Sequence, residues 1–298
     1  MNKDELIKKL EDENQYLKQI LISNGISFLK QKEVQRHEFT TEEKINLFLD
    51  YFKGRNDIFA YQYIKSDGQK VYSPVCENRK NLTGYCQFSK IFKCKECPNK
   101  KYIPISGSNI KTHLIGKETF GIYPMMNDDL TNLLVFDFDD EGYKDSTLEF
   151  YKVCKDYDID PLIEISQSGS GAHVWFFFDK PIKALKARKF GSYLLTKAIE
   201  SSYKINFSSF DRMFPNQDYL PINGYGNLIS LPLQGEKAKE GKTIFVNEKF
   251  IPLIKKSKFV DTYRWLIKYK TNDTNETIIA NTLIDDKKSS SNEVLPSR

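Results

Sequence analysis

The sequence predicts a mixed α+β fold with a small cysteine-bearing insert and a leading helix. Three observations carry that expectation. Short apolar strand patterns interleave with helical ones. Two of the strand patterns, LIEIS (162–166) and AHVWFFF (172–178), are joined only by Gln167-Ser168-Gly169-Ser170-Gly171, as in a hairpin-like pair. Four of the five cysteines fall between Cys76 and Cys97. Hairpin-like pairing among helices argues against a purely parallel, doubly wound sheet.

The elements follow in chain order. Residues 3–23 carry an apolar heptad: Ile7, Asn14 and Leu21 on one core position, Leu10 and Leu17 on the other. An Asn among Leu at such a seam sets the register of a parallel dimeric coiled coil; a single amphipathic helix packed on its own domain fits the same pattern. Asn24-Gly25 stops the helix. Thr40-Thr41-Glu42-Glu43 is a capping-box pattern that opens a helix with Ile45, Phe48, Leu49 and Phe52 on one face. DIFAYQYI (57–64) alternates as a strand does. TNLLVFDFD (131–139) reads as a strand and STLEFYKVCKDY (146–157) as a helix. Pro181 to Glu200 reads as a helix with Pro in its first turn. GNLISLPL (226–233) and KTIFVN (242–247) read as strands, and a helix is expected near 259–269. The polar stretch 271–298 reads as a flexible tail or linker. The resulting division is an N-terminal helix over 1–35, a main domain over 40–270 with its insert at 76–101, and the tail.

With 298 residues and 40% hydrophobic content, the chain has material for a sizeable core. It has no apolar run long enough to span a bilayer and opens without a signal peptide, so the expectation is a soluble cytoplasmic protein without a membrane partner. A net charge of +5 permits a nucleic-acid partner without requiring one.

In a reducing compartment, clustered cysteines favour metal over disulfides. Cys76, Cys86, Cys94 and Cys97 would supply four thiolates with no open position, the donor set of a structural tetrahedral Zn²⁺; the closing pair is C-x-x-C, the leading pair widely spaced. The same segment carries seven positive charges against two negative, interleaved with Tyr85, Phe88 and Phe92. Basic groups among aromatics suit phosphate contact and base stacking; a merely solvated surface is the plainer alternative.

The stretch LLVFDFDDEG (133–142) ends an apolar strand in carboxylates. Residues i and i+2 of a strand face the same side, so Asp137 and Asp139 project together and Phe138 faces the opposite layer. Two such carboxylates repel unless a cation sits between them, and hard oxygen ligands suit Mg²⁺ or Mn²⁺. Asp140 falls on the wrong face and is expected in a loop. In QSGSGAHVW, Ser168 and Ser170 offer hydroxyls, while Gly169 and Gly171 let backbone N–H groups turn toward an anion. His173 follows directly, where it would meet a phosphate; it shares its strand face with Trp175 and Phe177, so a core histidine is the plainer alternative. In SSFDRMFPNQD, Asp211 would complete the metal cage from a separate strand, with Asp218 as a substitute; Arg212 and Lys242 are spare cations.

Hydrophobic-Asp-x-Asp, then S-x-G-x-H, then a later hydrophobic-Asp resembles the three motifs of archaeo-eukaryotic primases, the primase-polymerase superfamily. Here they are FDFD (136–139), SGSGAH (168–173) and FD (210–211). The closer resemblance, over about 45–250, is to the primase domain of TOTE conflict systems and related mobile-element primase-polymerases. It rests on SPVCENRK, KCKECPNKKYIPIS, THLIGKETFGIYPMM, SGSGAHVWFFF, FDRMFPNQD and GYGNLISLPLQG. The resemblance implies a two-subregion catalytic core, one part like an RNA-recognition fold, with the cysteine knuckle as zinc-binding insert. It implies a nucleotidyltransferase: a DNA-dependent primase-polymerase that uses two Mg²⁺ or Mn²⁺ ions and takes NTPs or dNTPs on a single-stranded DNA template. Asp137, Asp139 and Asp211 would hold the metals; His173, Ser168 and Ser170, with Gly169, Gly171 and Arg212 beside them, would bind the nucleotide. A helicase or nuclease would act as partner or fused domain. A metal-dependent nuclease would use the same carboxylates but leaves the SGSG turn without a task. A non-catalytic zinc-containing binding module leaves three carboxylates facing a phosphodiester backbone.

Overall fold

The computed structural model of the chain describes residues 3–24, 40–80, 93–201 and 207–253. The helix expected near 259–269, the tail, and Cys86 with much of its loop lie outside the described residues. The chain forms two compact units, 1–39 and 40–298.

The first unit contains helix α1 (Lys3–Ser23). Its heptad residues Ile7, Leu10 and Leu17 are exposed, as is Asn14. Asn24 ends the helix by donating both its backbone N–H and its side-chain amide to Ile20 O.

The second unit opens with α2 (Thr41–Tyr51), and the expected capping box is formed. Thr40 Oγ1 accepts the Glu43 N–H at 3.2 Å, and Glu43 Oε2 accepts the Thr40 N–H at 2.7 Å. There follow β1 (Ala60–Ile64), β2 (Lys70–Pro74), α3 (Glu77–Lys80), α4 (Gly107–Leu114) and β3 (Phe120–Ile122). Next come β4 (Leu130–Asp139), α5 (Tyr143–Asp156), β5 (Leu162–Ile165), β6 (Gly171–Lys183) and α6 (Ala184–Ser201). The described part closes with a 3₁₀ turn (Phe207–Ser209), β7 (Phe210–Phe214), β8 (Ile229–Ser230), α7 (Gly235–Lys239) and β9 (Phe245–Val246). One sheet has the order β2-β1-β3-β8 and the other β7-β4-β6-β5-β9. All described pairings are antiparallel, including the expected β5–β6 pair. The architecture is mixed α and β, as the interleaved patterns imply.

One boundary differs from the sequence pattern. Pro181 lies in β6, and the helix starts at Ala184. β6 continues past Pro181 because Ile182 and Lys183 pair with Thr131 and Leu130. Pro181 falls where the register is interrupted, so its missing N–H removes no described rung.

The larger sheet explains its own alternation. Leu134, Phe136 and Phe138 of β4 and Val174, Phe176 and Phe178 of β6 form one face. They are sealed by Phe150, Val153 and Cys154 of α5 and by Ala187, Phe190 and Leu194 of α6. The opposite face starts apolar. Trp175 and Phe177 meet Phe52 edge to face at 5.2 and 5.5 Å, beyond the end of α2. Further along, that same face turns ionic, at Asp137, Asp139, His173 and Glu164.

Helix α6 lies close to the sheet at Gly191, where a Cβ would stand 2.8 Å from Phe136 Cζ and 2.9 Å from Leu134 Cδ2. In an exposed helix, Gly→Ala gains up to about 1 kcal/mol. Here the clash should win. Gly191→Ala is expected to lower the unfolding free energy by about 1–3 kcal/mol, read from the denaturation midpoint; a gain in stability would refute this packing.

Candidate active site

Asp137, Asp139 and Asp211 each present an oxygen within 4.8 Å of the others; among the described residues, this is the group that could hold a metal ion. Two come from one strand by simple alternation. The third arrives through an irregularity. β4 and β7 pair Val135 with Phe214, Phe136 with Met213 and Asp137 with Arg212, but Phe138 with Phe210. Asp211 is therefore an extra residue, a β-bulge. Directly opposed residues share a sheet face, so unbroken register would set Asp211 against Phe138, on the helix-covered side. The bulge turns it back toward Asp137 and leaves Phe210 to pack on Phe138 at 5.8 Å.

Asp139 depends on its partner across β6. Gly171 is opposite it, and a Cβ there would lie 2.2 Å from Asp139 Oδ1 and 2.7 Å from Phe138 O. Only glycine leaves room for that carboxylate. Asp140 follows the strand in a bend at φ 66° and is not one of the three grouped carboxylates, though its charge helps to raise Asp139. Asp218 pairs with Arg188 at 2.6 Å and stands outside the carboxylate group. Arg212 Nε donates to Asp211 Oδ2 at 2.5 Å, a pairing on which a metal would draw.

His173 sits between carboxylates. Its Nδ1 lies 2.9 Å from Glu164 Oε2 and its Nε2 3.4 Å from Asp137 Oδ1. Burial alone would depress its pKa, but Glu164, Asp137 and Asp139 outweigh burial and raise it to about 9, so the ring is a cation at neutral pH. Asp137 is pushed up to about 6, first by burial and then by Asp139 and Asp211, against the pull of His173. Burial likewise raises Asp139. Asp137 Oδ1 is buried and makes no hydrogen bond, its one polar neighbour being His173 Nε2 at 3.4 Å. Three carboxylates gathered this closely leave a place for a divalent cation, and an all-oxygen donor set suits Mg²⁺ or Mn²⁺.

The serine–glycine turn carries hydrogen bonds of its own. Gly169 N–H donates to Ser166 O at 3.1 Å and Ser170 N–H to Ser168 Oγ at 3.1 Å. Those two N–H groups are spent inside the turn, and the three hydroxyls of Ser166, Ser168 and Ser170 are linked at 2.9 and 3.0 Å.

Other residues of the site escaped the sequence reading. Glu164 lies at the centre of the apolar run LIEI, and a lone charge in a buried strand was the available signal. From the smaller sheet, Gln62 Nε2 donates to Gln167 Oε1 at 2.8 Å and Tyr72 OH donates to Ser230 Oγ at 2.7 Å. The first bond ties the smaller sheet to the 167–170 turn and the second lies within the smaller sheet; neither left a mark in the sequence. Lys237 Nζ donates to Gln62 Oε1 at 3.3 Å and has no carboxylate within 4 Å among the described residues. Burial, with help from Lys70 and Lys242, lowers its pKa to about 8. Of the cysteines, Cys76 forms a bridge with Tyr102 and its Sγ accepts the Lys101 N–H at 3.2 Å; Cys97 is buried and Cys94 half-buried.

The Asp137 shift sets a pH dependence. A carboxylate must be deprotonated to bind metal, and this one holds its proton up to about pH 6. Affinity for Mg²⁺ or Mn²⁺ should therefore fall as pH drops through about 6, approaching tenfold per pH unit for one displaced proton. Calorimetric titration between about pH 5 and about pH 7.5 measures it; an affinity flat across that range would contradict the assignment.

Residues 43–274 match the family model "TOTE conflict system, Archaeo-Eukaryotic Primase domain". Among solved structures, the chain is similar to the polymerase domain from Mycobacterium tuberculosis Ligase D in complex with DNA, at 11% identity and a TM-score of 0.38. That likeness covers 78% of this chain and 89% of the other, and at such a TM-score it adds no weight. No curated protein matches the chain. Because the family model spans well over half of its length, the chain belongs to the archaeo-eukaryotic primase domain family of TOTE conflict systems.

Proposed function

We propose that the chain is a DNA-dependent primase-polymerase that makes or extends primers from NTPs or dNTPs on a single-stranded DNA template. The observation that carries this reading is the group of Asp137, Asp139 and Asp211, whose oxygens lie within 4.8 Å of one another with His173 Nε2 3.4 Å from Asp137 Oδ1. Membership of the family supports nucleotidyl transfer as the reaction class.

In that transfer a primer 3′-oxygen bonds to the α-phosphorus of the nucleotide, the bond from that phosphorus to the bridging oxygen breaks, and pyrophosphate leaves. Asp137, Asp139 and Asp211 would hold two Mg²⁺ or Mn²⁺ ions, which when bound acidify the 3′-hydroxyl and neutralise the leaving group. The chain's own side chains supply the remaining charge. His173 places a fixed cation beside the carboxylates, and Arg212 stands ready to move from Asp211 to a phosphate. Lys237, with Lys70 and Lys242 near it, gathers positive charge beyond the 167–170 turn, and Lys242 runs alongside Gly169. Glu240 pairs with Lys242 at 2.9 Å and offsets part of this charge; a triphosphate would meet the remainder. Ser168 and Ser170 would contribute hydroxyl contacts.

With primed and unprimed single-stranded template, Mg²⁺ or Mn²⁺ and all nucleotides, the chain should give products longer than the input. The Asp137→Ala, Asp139→Ala double variant should give none, a loss of at least about 10³-fold. Template cleavage without extension would move the reading to a nuclease.

Two further assignments accompany this one. Cys76, Cys94 and Cys97 do not form a ligand group among the described residues, and they would have to close with Cys86 to hold a structural Zn²⁺; the Lys101 N–H given to Cys76 Sγ is the kind of bond that steadies a thiolate. Helix α1 would pair with a second copy in parallel. With Asn14 at a core position, Glu13 of one helix lies across from Lys18 of the other in a parallel pair. An antiparallel pair would set Glu13 against Glu13 and Asn14 against Leu10. Native mass spectrometry of the full chain should show two chains with about one zinc each; a zinc-free folded monomer would remove both assignments.

A further inference from the structure

Glu164 is 1% exposed, on a strand otherwise apolar. A buried carboxylate is costly unless its oxygens are satisfied. One oxygen, Oε2, receives two donors: Trp175 Nε1–H at 2.7 Å and His173 Nδ1 at 2.9 Å. The register makes this natural. Glu164 is directly opposite His173 on β6, and Trp175 is the diagonal neighbour on the same face. The indole is itself immobilised, edge on to Phe52 at 5.2 Å and stacked with Phe177 at 6.2 Å. A rigid apolar floor thus grips the indole, the indole grips the carboxylate, and the carboxylate grips the imidazole.

We propose that Glu164 is a positioning residue: it holds His173 by Nδ1, with Trp175 as its buried anchor, so that Nε2 stays aimed at the Asp137 cluster. Its bearing on nucleotidyl transfer rests on the function proposed above, but the linkage itself does not. Imidazole has two ring nitrogens and two ways to face a site, and a bond at Nδ1 from a fixed carboxylate selects one. The change Glu164→Gln is not a neutral one. The amide carries no charge and brings an N–H₂ donor of its own, although its oxygen can still accept both N–H groups.

Two arms test this. The first needs no catalysis. In ¹H–¹⁵N spectra of the full chain, with Trp265→Phe used to assign the two indoles, His173→Ala frees Oε2 for a single donor. The Trp175 indole N–H should then move downfield. In a Glu164→Leu background the same His173→Ala change should leave it in place. An indole resonance indifferent to His173 in the Glu164 protein would overturn the proposal.

The second arm is a double-mutant cycle on nucleotide incorporation. Glu164→Gln should cut kcat/KM about 10–100-fold with little change in thermal midpoint. Added to His173→Ala, it should cost less than about twofold, because Glu164 acts through the histidine. Full additivity would mean a merely structural role and would overturn the proposal. Should the chain incorporate no nucleotide at all, the catalytic reading falls while the spectra still decide the linkage.

Discussion

Strand β4 has to keep register with two neighbours at once, and the rest of the site depends on it. With β6 it pairs Asp137 to His173 and Asp139 to Gly171; with β7 it pairs Asp137 to Arg212 and then loses a step at Asp211. A one-residue slip on either side would exchange the two faces. The aromatic layer of Phe136, Phe138, Phe150 and Phe176 makes such a slip prohibitive, since it would bring carboxylates against the helices. The core that stabilises the domain is thus also what aims the acidic groups.

The site is an exercise in unbalanced charge. Asp137, Asp139, Asp211 and Glu164 face only His173 and Arg212 among the cations closest to them. Burial first, and neighbouring carboxylates after it, raise the pKa values of Asp137 and Asp139. On the other side of the 167–170 turn the balance is the reverse, with Lys237 half-buried near Lys70 and Lys242 and only Glu240 as counter-charge. The division of labour within the large sheet is equally plain. One face carries packing alone, and the other passes from apolar to ionic along its length.

Much of this was legible in the chain, and the reasons differ by residue. Strand alternation is a local backbone property, so FDFD placed Asp137 and Asp139 together without knowledge of any partner strand. The capping box at Thr40 and Glu43 is likewise local. Pro181 misled because its suitability for a helix start is a statistical preference, whereas its actual strand is set by pairing with β4. The SGSG turn was legible as a glycine-permitted bend, with Gly169 at φ 86°; that the N–H groups of Gly169 and Ser170 bond within the turn was not.

By itself, then, the sequence determined the alternation of β4, the grouping of Asp137 with Asp139, the nearness of His173 to the turn, and the family to which these motifs belong. Only the tertiary structure decided that Asp211 reaches them through a bulge, that Gly171 must be bare to admit Asp139, and that Glu164 and Trp175 stand behind His173. Periodicity fixes where a side chain points relative to its own strand. Which residue lies across from it, and whether the register skips, depends on pairing between segments far apart in the chain, and that is settled only when the whole sheet packs against its helices.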